Sequence, residues 1–256
     1  MSDRAIQDSL IRALADAPFR STPGWRDQGL ADPLRVERFA RFLARHFYYE
    51  RLIHFFKYSR ALARITGQSP ETVLTDAGFE ALLPMLVLGS RASAVAVAKL
   101  AVDHVRAGTR GPVPYLDDLL SYEQAMMTVE SGARIWSDGW SAEAAERQWS
   151  VPMRVEGTML LDLAFDLPVV LPRLLRPLTE VPQPPREPTR LIIARSPRGR
   201  VSVARTTTAI ATLLELADGR KSLDDLAREP GLRPGELQAT LDGLVDIGAV
   251  RFSHGS

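Results

Sequence analysis

The chain has 256 residues, 45% hydrophobic and 25% charged, with a net charge of +1; this is the composition of an ordinary globular protein and not of one that binds polyanions through bulk charge. It contains no cysteine, which excludes disulfides, thiolate metal sites, iron–sulfur ligation and cysteine nucleophiles. The N-terminal stretch MSDRAIQDSLIRALAD is amphipathic and mixed in charge, no apolar run approaches the ~18 residues of a membrane span, and a cytoplasmic protein is expected.

Helices are predicted through the first 150 residues. Ile6, Leu10 and Leu14 recur every four residues and mark a first helix, and STPGWRDQGLADP reads as a loop. Asp32-Pro33 caps a second helical run that continues to Gly67, a suitable C-cap, and Ser69-Pro70-Glu71 suits a new start. A helix over 77–88 should be broken by Pro84. The alanine-lined ASAVAVAKLAVDHVRAG allows close helix approach, and PYLDDLLSYEQAMMTVES places Leu116, Leu119, Leu120 and Met127 on one side. A loop with Trp136 and Trp140 follows.

The pattern changes near Ser150. Met159, Leu161, Leu163 and Phe165 alternate as in a strand, VVLPRLLRPL suits a short helix, and the proline-rich PLTEVPQPPREP suits a stiff linker. TRLIIARS and RVSVARTT flank a Pro-Arg-Gly turn, giving a hairpin. Three helices are predicted after it: TTAIATLLELA, SLDDLARE capped by Ser222, and PGELQATLDGLVDI opened by Pro234 and stopped by Gly248, with AVRF as a last strand. The expected fold is mostly α. A helical domain over 1–150 is followed by a strand, short helix and linker over 151–186, then a small α+β winged-helix-like domain over 187–256.

The most conspicuous stretch is RHFYYERLIHFFKYSR, residues 45–60, which packs six aromatic rings and two of the four histidines of the chain into one segment. His46, Glu50 and His54 share a helix side and are chemically suitable metal ligands. At ~1.5 Å rise per residue the outer pair stand ~12 Å apart, so three ligands cannot converge on one ion without help from elsewhere, for example Asp103 or His104. The aromatics lie all round the helix, which suits either a central core helix or one with a second side turned to a protein partner. On the second reading the interface is Phe47, Tyr48, Tyr49, His54, Phe55 and Tyr58, together with Trp136 and Trp140.

The C-terminal helix over 234–247 holds no Lys or Arg and three acids, Glu236, Asp242 and Asp246, so pressing it on phosphates would be repulsive. The hairpin instead carries Arg190, Arg195, Arg198, Arg200 and Arg205 and no acid. Such an edge suits an extended peptide added as a strand, or simply keeps an exposed edge soluble. No Gly-x-Ser-x-Gly elbow, phosphate-binding glycine loop or His-Glu-x-x-His occurs, and Asp117 and Asp118 point ~100° apart on a helix, so no enzyme is expected in this chain alone.

The run RLIIARSPRGRVSVARTTTAIATLLELADGRKSLDDLA resembles the PqqD-like recognition module of ribosomally made, post-translationally modified peptide pathways: a hairpin, a Thr-rich helix start, an apolar helix ending in Asp-Gly-x-x-Ser, and a Leu-rich second helix. PYLDDLLSYEQA and TMLLDLAFDLPVVLPRL resemble the helical partner proteins of multinuclear non-haem iron-dependent oxidative enzymes. The likeness spans about residues 35–252, with two clear strands where the module has three, unless 153–166 supplies the other. The resemblance implies a heterodimeric, non-catalytic partner subunit that binds the leader of a precursor peptide and presents it to the oxidative enzyme. It also implies iron in that enzyme, no cofactor in this chain, and a leader lying along Arg198, Arg200, Val201, Val203 and Arg205, over Leu237, Leu241 and Leu244. A winged-helix transcription regulator with a helical sensor domain is the alternative, and a helical metalloenzyme the third reading.

Overall fold

The computed structural model describes residues 2–132, 151–176, 181–221, 223–226, 228 and 234–253. In chain order the helices are α1 (Asp3–Ala15), α2 (Ala17–Arg20), α3 (Pro23–Arg26), α4 (Pro33–Phe55), α5 (Lys57–Ala61), α6 (Ala63–Thr66), α7 (Ala77–Leu82), α8 (Arg91–Gly108) and α9 (Leu116–Glu130). Then come β1 (Val151–Arg154), β2 (Met159–Leu163), α10 (Leu167–Leu174), β3 (Thr189–Arg195), β4 (Val201–Thr206), α11 (Thr208–Leu216), α12 (Leu223–Leu226), α13 (Pro234–Asp246) and β5 (Val250–Ser253). The described residues are mostly helical, with a small sheet region, and no helix among them is long and apolar enough to cross a membrane.

Two compact units divide the chain: Met1–Met127 with Leu171–Pro182, and Thr128–Val170 with Gln183–Ser256. Each is built from two segments. The stretch expected over 151–186 as a strand, helix and linker is thus shared: Val170 and the residues before it go to the second unit, Leu171–Pro182 to the first.

The first unit is assembled around α4. Asp32 accepts the Leu34 N–H at 2.9 Å and Pro33 takes the first turn, where its missing N–H costs nothing. Val36, Ala40, Ala44, Tyr48 and Leu52 recur every four residues and form the buried side of the helix. The predicted run to Gly67 is interrupted: α4 stops at Phe55, and Phe56, itself fully buried, leaves helical geometry at φ −97°, ψ 31°. Gly67 closes the run in the left-handed conformation at φ 83°, which its missing Cβ permits. On α8, Ala94, Val97, Ala98, Ala101, Val102 and Val105 are buried, so the alanine-rich face is used for packing. Pro84 breaks the next helix as expected: α7 ends at Leu82 and Leu83–Met85 tightens into a 3₁₀ turn. A one-turn helix, α2, capped by the Asp16 side chain, follows α1 ahead of the predicted loop, and the loop itself contains a second one-turn helix, α3, capped by Thr22.

The second unit holds two sheets. β2, β3 and β4 form an antiparallel three-stranded sheet in that order, and β1 pairs with β5. The segment over 153–166 therefore yields two strands rather than one, separated by a turn at Gly157, and the later of them supplies a third strand to the hairpin sheet. Met159 lies opposite Ile193, and Leu163 opposite Thr189. The Pro-Arg-Gly turn forms, with the Gly199 N–H donating to the Ser196 carbonyl at 2.8 Å and Gly199 at φ 77°. Being central, β3 is buried on both faces from Leu191 to Ala194, which is why its sequence is continuous rather than alternating. Ile192 and Ala194 pack with Leu213, Leu214, Leu226, Leu237, Leu241, Leu244 and Val250 in one apolar cluster. At Gly248 a Cβ would lie 2.1 Å from the Arg195 carbonyl oxygen, so only glycine admits this approach of the α13–β5 turn to the end of β3.

Candidate functional site

The hairpin sheet has an open edge at β4. That strand pairs with β3 on one side, and among the described residues no backbone hydrogen bond reaches its other side. Val201 is half-buried and Val203 is 36% exposed, a valine left on the surface beside unpaired backbone. The five hairpin arginines have different fates. Arg190 pairs with Asp162, its cross-strand neighbour on β2. The Arg195 guanidinium donates to the carbonyls of Glu130 and Gly132, both at 2.8 Å, satisfying acceptors at a helix C-terminus. Arg205 donates at 2.7 and 2.8 Å to both oxygens of Asp166, a buried carboxylate on the segment before α10. Arg198 and Arg200, exposed around the turn, have side chains with no such partner among the described residues. The cationic edge expected from five arginines is thus reduced to two.

Leu237, Leu241 and Leu244 are not a free stripe. All three are buried in the core of the second unit, Leu241 completely, because α13 turns its apolar side to β3 and α11. A leader lying over them would have to displace the core, which corrects their expected role as groove residues.

The aromatic stretch is sorted by helical spacing. Tyr48 is fully buried, and burial pushes its hydroxyl up to about 12; it is a core residue and not an interface residue. Phe47, Phe55 and Tyr58 are half-buried. Tyr49 and His54 are exposed. Trp136 and Trp140 lie outside the described residues. The Arg51 guanidinium sits 5.0 Å from the Phe47 ring centre and 5.9 Å from that of Phe55, so those two rings flank a cation on their own helix.

One residue of evident consequence went unpredicted. Glu123, on α9, is fully buried and accepts the N–H groups of Tyr58 at 2.7 Å and Ser59 at 3.2 Å. These are the donors left without helical partners where the chain breaks at Phe56, and the carboxylate caps them from another helix. Burial outweighs these hydrogen bonds and pushes the carboxyl up to about 8. A signal was present: Glu123 lies four residues from Leu119 and from Met127, a lone acid on the apolar side of an amphipathic helix.

Among the described residues no group of three His, Asp or Glu side chains is arranged to hold a metal ion. His104, named as a possible third ligand, bonds instead to Asp76 at 2.8 Å and Thr72 at 2.7 Å, and Asp103 pairs with Lys99 at 2.5 Å. A cleft of about 510 Å³ beside the start of α4 is lined by Arg20, Arg26, Glu37, Arg41 and Leu34 among others. There Glu37 bridges Arg20 at 2.6 Å and Arg41 at 2.8 Å, and it is held below the usual carboxylate range by these two guanidiniums against an opposing contribution from burial. No protein-family model matches the chain, and no curated protein matches it.

Proposed function

We propose that this chain is a non-catalytic, cytoplasmic subunit that holds the leader segment of a ribosomally made precursor peptide. It would present the peptide to an iron-dependent oxidative enzyme, which supplies the metal and the chemistry, in a heterodimer. The observation that carries the reading is the open edge of β4, with an exposed valine on the strand and two uncommitted arginines at its start. An extended peptide added there would gain backbone hydrogen bonds along Val201–Thr206, an apolar contact at Val203, and acid partners for Arg198 and Arg200. The other edge strand, β2, carries Asp162 facing Arg190 and offers no comparable uncommitted cation. A three-stranded antiparallel sheet whose β3–β4 hairpin is followed by three helices, α11 to α13, is also the content of a PqqD-like winged-helix module and supports that identity for the second unit, with the difference that α10 and the proline-rich stretch here separate β2 from the hairpin.

The affinity should be modest. One or two apolar side chains buried at about 25 cal/mol/Å² give a few kcal/mol, and ordering the peptide consumes part of the total, so a micromolar dissociation constant is expected, weakened by salt. The test is fluorescence anisotropy with the labelled leader of the precursor encoded beside this protein, titrated with the full chain. A fragment over 187–256 would lack β2 and expose both sides of the hairpin, so it is not a fair probe. Val203→Asp should weaken binding by about tenfold or more, and Arg200→Ala by a smaller factor that vanishes at high salt. No binding by the full chain, or binding indifferent to Val203→Asp, overturns the reading.

A further inference from the structure

The outward side of α4 has a regular pattern that the peptide-holding role does not use. Arg35, Phe39, Phe42, His46, Tyr49 and Ile53 follow one another at alternating steps of four and three, the seam spacing of a coiled coil. The seam lies opposite Ala40, Ala44 and Tyr48, which face the core. Phe39 is 51% exposed, Phe42 60% and Tyr49 40%, and His46 is exposed between them. The rings are ordered along the helix: Phe39 and Phe42 stack with centroids 6.2 Å apart and planes 15° apart, and Phe42 and His46 at 6.3 Å and 3°. Three large aromatic side chains left in water along one ridge mark a contact surface rather than scattered surface hydrophobes.

The charges beside the seam restrict what can cover it. Arg38 and Arg45 lie along one flank, Leu43 and Glu50 along the other. Arg45 is shared with Glu80, while Arg38 makes no ion pair among the described residues. A parallel second copy would set Arg35 on Arg35 and His46 on His46 within the seam, gaining only a rim pair between Arg45 and Glu50, which is worth little. An antiparallel copy would bring Arg38 and Arg45 alongside the same arginines of its partner. A membrane face would need cations on both flanks and a broader apolar surface, whereas here Glu50 borders a narrow seam.

We infer that this side of α4 docks a helix of a different protein, apolar at heptad spacing and acidic along the flank that meets Arg38 and Arg45. The proposal goes beyond the peptide-holding reading and stands without it, since it concerns the first unit alone. The face is Phe39, Phe42, His46 and Tyr49, only the last of which was among the expected interface residues.

The probe is a dye-labelled three-heptad peptide with Leu at both seam positions and Glu at the flanking positions, whose own flanks repel one another. Its control carries Lys at the flanks. The full chain should bind the Glu peptide in the micromolar range and the Lys peptide about tenfold more weakly. Phe42→Asp should cost about tenfold or more, and Arg38→Glu should invert the preference between the peptides. Phe42 is mostly in water, so circular dichroism should show an unaltered fold; Tyr49→Asp serves as a second variant if it does not. Val203→Asp, which tests the strand edge, should leave peptide binding on α4 unchanged. Equal binding of both peptides, or indifference to Phe42→Asp and Tyr49→Asp, overturns the proposal. So does a wild-type dimer in sedimentation that Phe42→Asp dissociates, or flotation with phosphatidylglycerol vesicles that Phe42→Asp abolishes.

Discussion

The aromatic helix and the arginine hairpin each concentrate one kind of residue, and the fold disposes of them by different rules. In α4 the rule is local. Steps of four put Tyr48 and Leu52 in the core, while the interleaved Phe42 and Tyr49 stay outside, so neighbours Tyr48 and Tyr49 have opposite fates. In the hairpin the rule is remote. Arg190, Arg195 and Arg205 are taken by Asp162, by the carbonyls near Gly132 and by Asp166, all from upstream of the proline-rich segment. Helical spacing can be read from a segment by itself, but the state of a strand cation depends on which acid the tertiary fold delivers.

The comparison is broken most sharply at Leu241. If α13 packs its leucines inward, Leu241→Asp buries an unpaired carboxylate in the core, costs more than about 3 kcal/mol and removes the cooperative unfolding of the second unit. Val203→Asp, on the exposed strand, should cost under about 1 kcal/mol in the same urea titration. An unchanged midpoint for Leu241→Asp would mean that the helix stripe is a free groove after all.

Glu123 offers the next effect. Its carboxyl stands at about 8 in the folded protein against an ordinary value of 4.5. A raised carboxyl favours the protonated folded state, so this contribution is fully present below about pH 4.5 and is lost as pH rises through 8. With roughly 1.4 kcal/mol per pKa unit the loss is on the order of a few kcal/mol. Calorimetric Tm values taken from pH 5 to 9 should fall for the wild type and stay flatter for Glu123→Gln. Tyr122, the neighbour of Glu123 on α9, is pushed up to about 12 by burial and keeps its proton throughout that range. Parallel pH profiles for the two proteins would show that the helix break does not depend on this carboxyl.

Arg205→Ala gives the smallest of the three. It leaves the buried Asp166 carboxylate without its two guanidinium hydrogen bonds, at a cost of about 1–3 kcal/mol, whereas Arg200→Ala should change stability by less than about 0.5 kcal/mol. Equal urea midpoints for the two variants would erase the distinction between committed and free arginines.

Most helices were legible because their signals are short-range: Asp32 and Pro33 at the start of α4, Gly67 after α6 and Pro84 beyond α7 each act within one turn. The break at Phe56 was not legible, since nothing in its own segment forces it and its donors are satisfied by Glu123, 64 residues from Ser59. The alternation of Met159, Leu161 and Leu163 indicated a strand but not its neighbour, because the pairing with β3 crosses α10 and the proline-rich stretch. The apolar side of α13 was recognised correctly and its use was not. Periodicity identifies a side that avoids water, and both a core and a groove meet that condition.

The pairing of β1 with β5 has a consequence for how the second unit comes into being. Val151 lies opposite Ser253, so about a hundred residues separate strands that touch. During synthesis β1 emerges long before its partner exists, and the sheet it needs cannot close until residues 250–253 have been added. The first unit's long helix depends on local contacts and can form while the chain is still growing. The second unit must wait with an unpaired strand exposed, and this interval, rather than the finished fold, is where the molecule is most open to misassociation.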